Sequence, residues 1–159
     1  MIVRALLAML TLFALQAAAV AQLPVEAHRR PQELLTSDDA TLAANKKLVF
    51  DFWRVVLAAH HVDRAPEFLA ESYIQHNPNV ATGRAAFMEF FGQFQPEPIK
   101  DTIDDLVRIV AEGDVVVLAF RRELPDLARE GQTYTTTWFD MFRVADGKIV
   151  EHWDYSTKE

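Results

Sequence analysis

Residues 139–154 read FDMFRVADGKIVEHWD, two alternating runs joined by Asp146-Gly147. Alternation places Trp138, Asp140 and Phe142 on one face of the first run and Val150, His152 and Asp154 on one face of the second. Asp-Gly supplies the positive φ angles of a tight hairpin. A two-residue turn pairs Ala145 with Lys148 and sets Asp140 opposite Trp153. A bulge would shift that register by one and change which residues share a face. In either register Asp140 and Asp154 lie on neighbouring strands, among aromatic rings.

Upstream, Ile103 to Ala111 and Val115 to Glu123 are two further runs rich in Val, Ile and Phe, joined by Gly113-Asp114. With Gln132 to Val144 and Lys148 to Ser156 they predict a four-stranded antiparallel meander. The first half of the chain has helical spacing instead. Val49, Phe52, Val56 and Ala59 fall three and four apart on a helix that starts after Asp38-Asp39 and ends near His60. Asp63 and Pro66 open a second helix with Phe68, Leu69 and Tyr73 on its apolar side. After the loop Asn77-Pro78-Asn79, Thr82 caps a third, striped by Phe87, Phe90, Phe91 and Phe94 and stopped by Pro96 and Pro98. Three helices laid over one face of a twisted sheet make an α+β domain.

The expected domain spans 38–159, with 22–37 a polar, flexible lead-in. Residues 1–21 read as a signal peptide: Arg4 precedes an apolar run, and Ala19-Val20-Ala21 offers small residues for cleavage. The run is shorter than the roughly 20 apolar residues that span a bilayer, so no stable membrane anchor is expected. The expectation is an exported protein, periplasmic or secreted.

Among the 159 residues, 50% are hydrophobic, and 11 Phe, 3 Trp and 3 Tyr point to an aromatic core. The formal charge of −7 offers phosphate backbones no broad basic surface, which argues against nucleic acid as a partner. With no cysteine, thiolate nucleophiles and cysteine zinc sites are excluded. No phosphate loop, Gly-x-Ser-x-Gly elbow or dinucleotide fingerprint is present, so any catalysis is expected to need no cofactor.

A carboxylate beside a second carboxylate in an apolar cavity has its charged form disfavoured, which makes a general acid or base usable near neutral pH. Asp140 and Asp154 fit that description. They equally fit solvated strand residues paired with Arg143, Arg121 or Arg122. His76 stands where a helix gives way to a loop, either turned inward toward the acids or capping the loop. His60 and His61 suit the negative end of a helix dipole. His76, His152, Asp140 and Asp154 could together hold a metal, yet no close-spaced ligand motif supports one and none is expected.

Three stretches, YIQHNPNVATGRAAFMEFF at 73–91, RIVAEGDVVVL at 108–118 and FDMFRVADGKIVEHWD at 139–154, resemble the SnoaL-like polyketide cyclases of the nuclear transport factor 2-like superfamily. Within these they are similar to the branch of predicted aldol-condensation-catalysing enzymes. The resemblance runs in order over about residues 40–157. It implies an α+β cone, helices packed on a curved, mainly antiparallel sheet around an apolar pocket whose lining would include Phe52, Tyr73, Phe87, Phe91 and Trp138. It implies that Asp154, after the His-Trp pair, is the general acid/base. His76, His152 and Asp140 are its candidate partners, with His76 or a protonated Asp140 expected to donate a hydrogen bond to the enolate oxygen when Asp154 removes a proton α to a carbonyl. Cyclases of this family usually carry histidine at the place of Asp140, so their substrate does not carry over.

The expected activity is cofactor-independent acid/base chemistry on a small apolar or carbonyl-containing molecule through an enolate: aldol-type condensation, cleavage or isomerisation. The alternatives are an exported binding or scaffolding module of the same fold without catalysis, and hydrolysis of an epoxide or ester by water that the Asp pair activates. A homodimer through the open sheet face is expected.

Overall fold

The computed structural model describes residues 22–158. The expected signal peptide therefore lies outside the described residues. No described helix is long and apolar enough to cross a membrane.

Helix α1, Ala40–Phe52, is capped by Asp39, whose carboxylate accepts from the backbone N–H groups of Thr41 and Leu42. These donors have no partner inside the helix, and the carboxylate also answers its dipole. The chain then widens into a π-helical stretch, Trp53–Ala58, and leaves it through His60, whose φ is 58°. Helix α2, Ala65–Phe68, is a single turn. Here the structure departs from the expected second helix, because Leu69–Gln75 is a strand, β1. Helix α3, Arg84–Phe91, follows, and Gly83 rather than Thr82 stands at its N-cap. Thr82 instead exchanges hydrogen bonds with the backbone of Gln75.

Strands β2 (Leu106–Glu112), β3 (Val115–Pro125), β4 (Thr133–Ala145) and β5 (Lys148–Asp154) form the expected meander. The sheet nevertheless has five strands in the order β1-β5-β4-β3-β2, because β1 adds to β5 in parallel. Leu69 and Tyr73 are fully buried. A spacing of four puts residues on one face of a helix and equally on one face of a strand, so local periodicity alone did not separate the two. The partner that decides the matter, β5, lies more than 70 residues away in the chain.

The β4–β5 hairpin closes at Asp146 (φ 51°) and Gly147 (φ 69°), and Ala145 pairs with Lys148 as the turn requires. Val144 pairs with Ile149, but Arg143 then pairs with Glu151, so Val150 is an extra residue. This bulge moves the register by one and sets Asp140 opposite Asp154, not Trp153, with Phe142 opposite His152. It also puts Ile149 rather than Val150 on the buried side.

The core lies between α1, α2 and α3 and one face of the sheet. Phe52 is its centre: its ring lies 6.0 Å from Phe68, 5.9 Å from Phe87 and 5.8 Å, edge-on, from Phe142. Such tilted and edge contacts suit the quadrupole of the rings. Of the expected phenylalanine stripe, Phe87 is buried while Phe90 and Phe94 stay exposed. The segment expected to be a flexible lead-in is docked. His28 N–H donates to Leu106 O, Val25 N–H donates to the Thr135 hydroxyl, and Leu34 is buried in a 3₁₀ turn, Pro31–Leu35.

Candidate active site

On the helix-covered face, strands β3, β4 and β5 present Arg122, Trp138, Asp140, His152 and Asp154 to a cavity of about 220 Å³. Phe52, Tyr73, Phe87, Phe91 and Trp138 all line it, together with Trp53, Gln75 and Asn77. Apolar walls this close to two acids lower the local dielectric and strengthen the electrostatic contacts there.

Asp140 is buried and fully engaged. Trp53 Nε1–H donates to one carboxylate oxygen at 2.7 Å and Trp138 Nε1–H to the other at 2.8 Å. His152 Nε2 stands 3.6 Å from Asp140, an ion-pair distance rather than a hydrogen bond. Burial by itself would push the Asp140 carboxyl up, but His152 and the two indoles outweigh it and hold the carboxyl below its ordinary range. Asp140 is thus kept as an anion.

The neighbouring amides fix the other groups. Asn77 N–H must donate to Gln75 Oε1, so that oxygen also accepts from His152 Nδ1, 3.2 Å away. His152 therefore carries a proton on Nδ1 in either charge state, and its Nε2, facing the acids, carries a proton only in the imidazolium. In the same way Asn79 N–H donates to Asn77 Oδ1, which leaves Asn77 Nδ2–H to donate to Asp154 Oδ2 at 2.9 Å. Asp154 Oδ1 and His152 Nε2 are then buried with no hydrogen-bond partner among the described residues. One ligand-type atom each from Asp140, His152 and Asp154 gathers within 4.8 Å of the others. Tyr73 sits beside them fully buried, its phenol pushed up by burial and by the charges of Asp154 and Asp140, and its oxygen accepts from Gln75 Nε2–H. The phenol stays protonated, and its hydrogen is unspent among the described residues.

His76 is elsewhere. It bonds Glu151 at 2.7 Å and stacks on Trp153, ring centroids 5.1 Å apart, on the opposite face of the sheet. Glu151 also binds Arg143 there. A hydrogen bond from His76 to a molecule in the cavity is therefore excluded by geometry, as is one from a protonated Asp140. Arg143 answers Glu151, and Arg121 answers Asp105 and Glu123, so neither neutralises the two aspartates. Trp53, Gln75 and Asn77 were not selected from the sequence. Only the YIQHN run flagged their neighbourhood, since an indole 87 residues from its acceptor leaves no local trace.

Asp140, His152 and Asp154 are the described residues that could hold a metal ion. Both Asp140 oxygens already accept from indoles, which leaves His152 Nε2 and Asp154 Oδ1 as donors, fewer than the three protein ligands a catalytic zinc site uses.

Because the folded Asp140 ionises more readily than an unfolded aspartate, whose pKa is about 3.9, the unfolded chain binds more protons as the pH falls below about 4. The stabilisation is fully present above that value and lost below it. Urea melts between pH 3 and 7 check this, with Asp140→Asn expected to lose that part of the slope while the contributions of exposed acids remain.

A family model described as SnoaL-like domain matches residues 49–152. A search of curated proteins finds no significant match. Among solved structures, the chain is similar to a candidate polyketide cyclase from Acidithiobacillus ferrooxidans at 15% identity, covering 76% of this chain and 90% of that one, with a TM-score of 0.52. It is similar to a candidate SnoaL-like polyketide cyclase from Jannaschia sp. CCS1 at 20% identity, again over 76% and 90%, with a TM-score of 0.53. A Xanthomonas campestris protein of unknown function with a cystatin-like fold aligns at 19% identity over 72% and 91%, with a TM-score of 0.50. These likenesses concern the fold.

Proposed function

The chain belongs to the SnoaL-like domain family, and from that premise we propose that it is a cofactor-independent acid/base enzyme acting on a small carbonyl compound. One observation carries the reading. Asp154 Oδ1 and His152 Nε2, a base and a potential donor, are buried, unpartnered and converge on an aromatic cavity. A buried polar atom left unsatisfied costs about 1–3 kcal/mol, a penalty that a bound molecule would relieve.

In this reading Asp154, steadied by Asn77, removes a proton α to the carbonyl. Negative charge develops on the carbonyl oxygen, where the His152 Nε2–H donates to it, with Tyr73 as a second donor. Asp140 is a positioning residue: its carboxylate, fixed by two indoles, stands 3.6 Å from His152 Nε2 and orients the ring. The resulting enolate attacks a second carbonyl in condensation or is reprotonated at another carbon in isomerisation; in cleavage the base instead takes the proton of a β-hydroxyl group, and the carbon–carbon bond that breaks releases the enolate.

Solvent deuterium entering the positions flanking the ketone of 4-oxodecanoate or its methyl ester, followed by NMR, tests the proposal. Exchange above the buffer rate supports it. Tight binding without exchange favours the alternative, a binding module of the same fold. Export, on the apolar run of residues 5–20, and a homodimer remain parts of the proposal. The sheet face away from the helices exposes Val110 and Phe139, which supports the latter. Cell fractionation and sedimentation of the purified protein test the two.

A further inference from the structure

A second cavity of about 390 Å³ adjoins the first, and Trp53 and Arg122 line both. Four cations face this larger cavity, and three are already answered. Arg54 bonds Asp51 at 2.9 Å, Lys100 bonds Asp104 at 2.7 Å, and Arg121 lies against Asp105 and Glu123. Arg122 differs. Among the described residues no carboxylate lies within ion-pair distance of it, and its guanidinium carbon rests 4.6 Å from the centre of the Trp138 ring. The nitrogen of that same ring donates to Asp140. The free cation and the acid pair are thus one indole apart.

Arg122 is on the helix-covered face of β3, two residues beyond the buried Phe120 and paired with Thr136 of β4. A guanidinium held over an aromatic face keeps N–H donors to give, and their planar fork matches a carboxylate. It also supplies positive charge at the mouth of a cavity whose interior holds two aspartates, in a protein of net charge −7. That arrangement lets an anionic group approach the mouth yet disfavours one deeper inside.

We propose that Arg122 recognises a carboxylate on the substrate, and that the substrate class is a keto acid with an apolar chain. The carboxylate sits on Arg122 at the junction of the two cavities. The ketone, a few bonds further in, reaches Asp154 and His152, and the chain lies against Phe52, Phe87 and Phe91. The ketone's position rests on the acid/base reading; the carboxylate's does not.

The test is tryptophan-fluorescence titration of the whole protein with 4-oxodecanoate and with methyl 4-oxodecanoate, at low and moderate salt. The acid is expected to bind at least about tenfold more tightly than the ester, less so as salt rises. Arg122→Gln is expected to bring the two together chiefly by weakening the acid, and Arg122→Lys to restore part of the difference. Equal binding of acid and ester by the unaltered protein, binding of neither, or a preference that survives Arg122→Gln would overturn the assignment. Deuterium exchange is read separately. A preference for the acid without exchange leaves Arg122 assigned and removes the base, whereas exchange without the preference does the reverse.

Discussion

Asp154→Asn is expected to slow deuterium exchange into a bound ketone by a factor of about 10²–10⁴, the range that a positioned general base contributes. The substitution keeps the size and shape of the side chain and removes its capacity to take a proton. Asn77 still meets a carbonyl oxygen at that position, so the loop that carries it stays in place. Binding of methyl 4-oxodecanoate should change little, because the cavity wall is unaltered. The pairing of lost exchange with retained binding is what separates a base from a structural residue. Exchange that persists within a few-fold of the unaltered protein would transfer the role to another group. His152, the remaining unpartnered polar atom in the cavity, would be the first to examine.

Asp140→Ala should be the most destabilising of the substitutions considered, by about 3–5 kcal/mol, the usual cost of breaking a buried charged network from one side. It strips the acceptor from two indole N–H groups and removes the carboxylate that stands 3.6 Å from His152 Nε2, at a buried position. For a chain of this size that corresponds to a fall in melting temperature of roughly 10 °C. Asp140→Asn should cost less, because its carbonyl oxygen still accepts from one of the indoles while its NH₂ faces the other. Calorimetry of the two variants side by side checks the order. A loss under 1 kcal/mol for Asp140→Ala would mean that the indoles find other acceptors and that Asp140 is no anchor.

The two variants act on neighbouring carboxylates and are expected to do different things. Asp140 has each oxygen committed to an indole, so its loss is felt as stability. Asp154 has one oxygen held and one free, so its loss is felt as chemistry. Identical side chains on adjacent strands are told apart by what surrounds them, a distinction that no residue type announces.

The choice of Asp154, with Asp140 and His152 as its candidate partners, came from the family resemblance of residues 139–154, while composition and alternation in the chain specified an aromatic α+β domain, the hairpin at Asp146-Gly147 and the meander from β2 to β5. These are short-range properties: a turn needs residues that accept positive φ, and a strand needs side chains of period two. Tertiary structure alone decided three other things. It made Leu69–Gln75 a strand, because a parallel partner supplied by β5 satisfies its backbone. It inserted Val150 as a bulge, which brought Asp140 opposite Asp154. It sent His76 to the far face while bringing Trp53, Gln75 and Asn77 to the acids. Each of these depends on contacts between residues distant in the chain, where the free energy of pairing and burial overrides what a short window of sequence prefers.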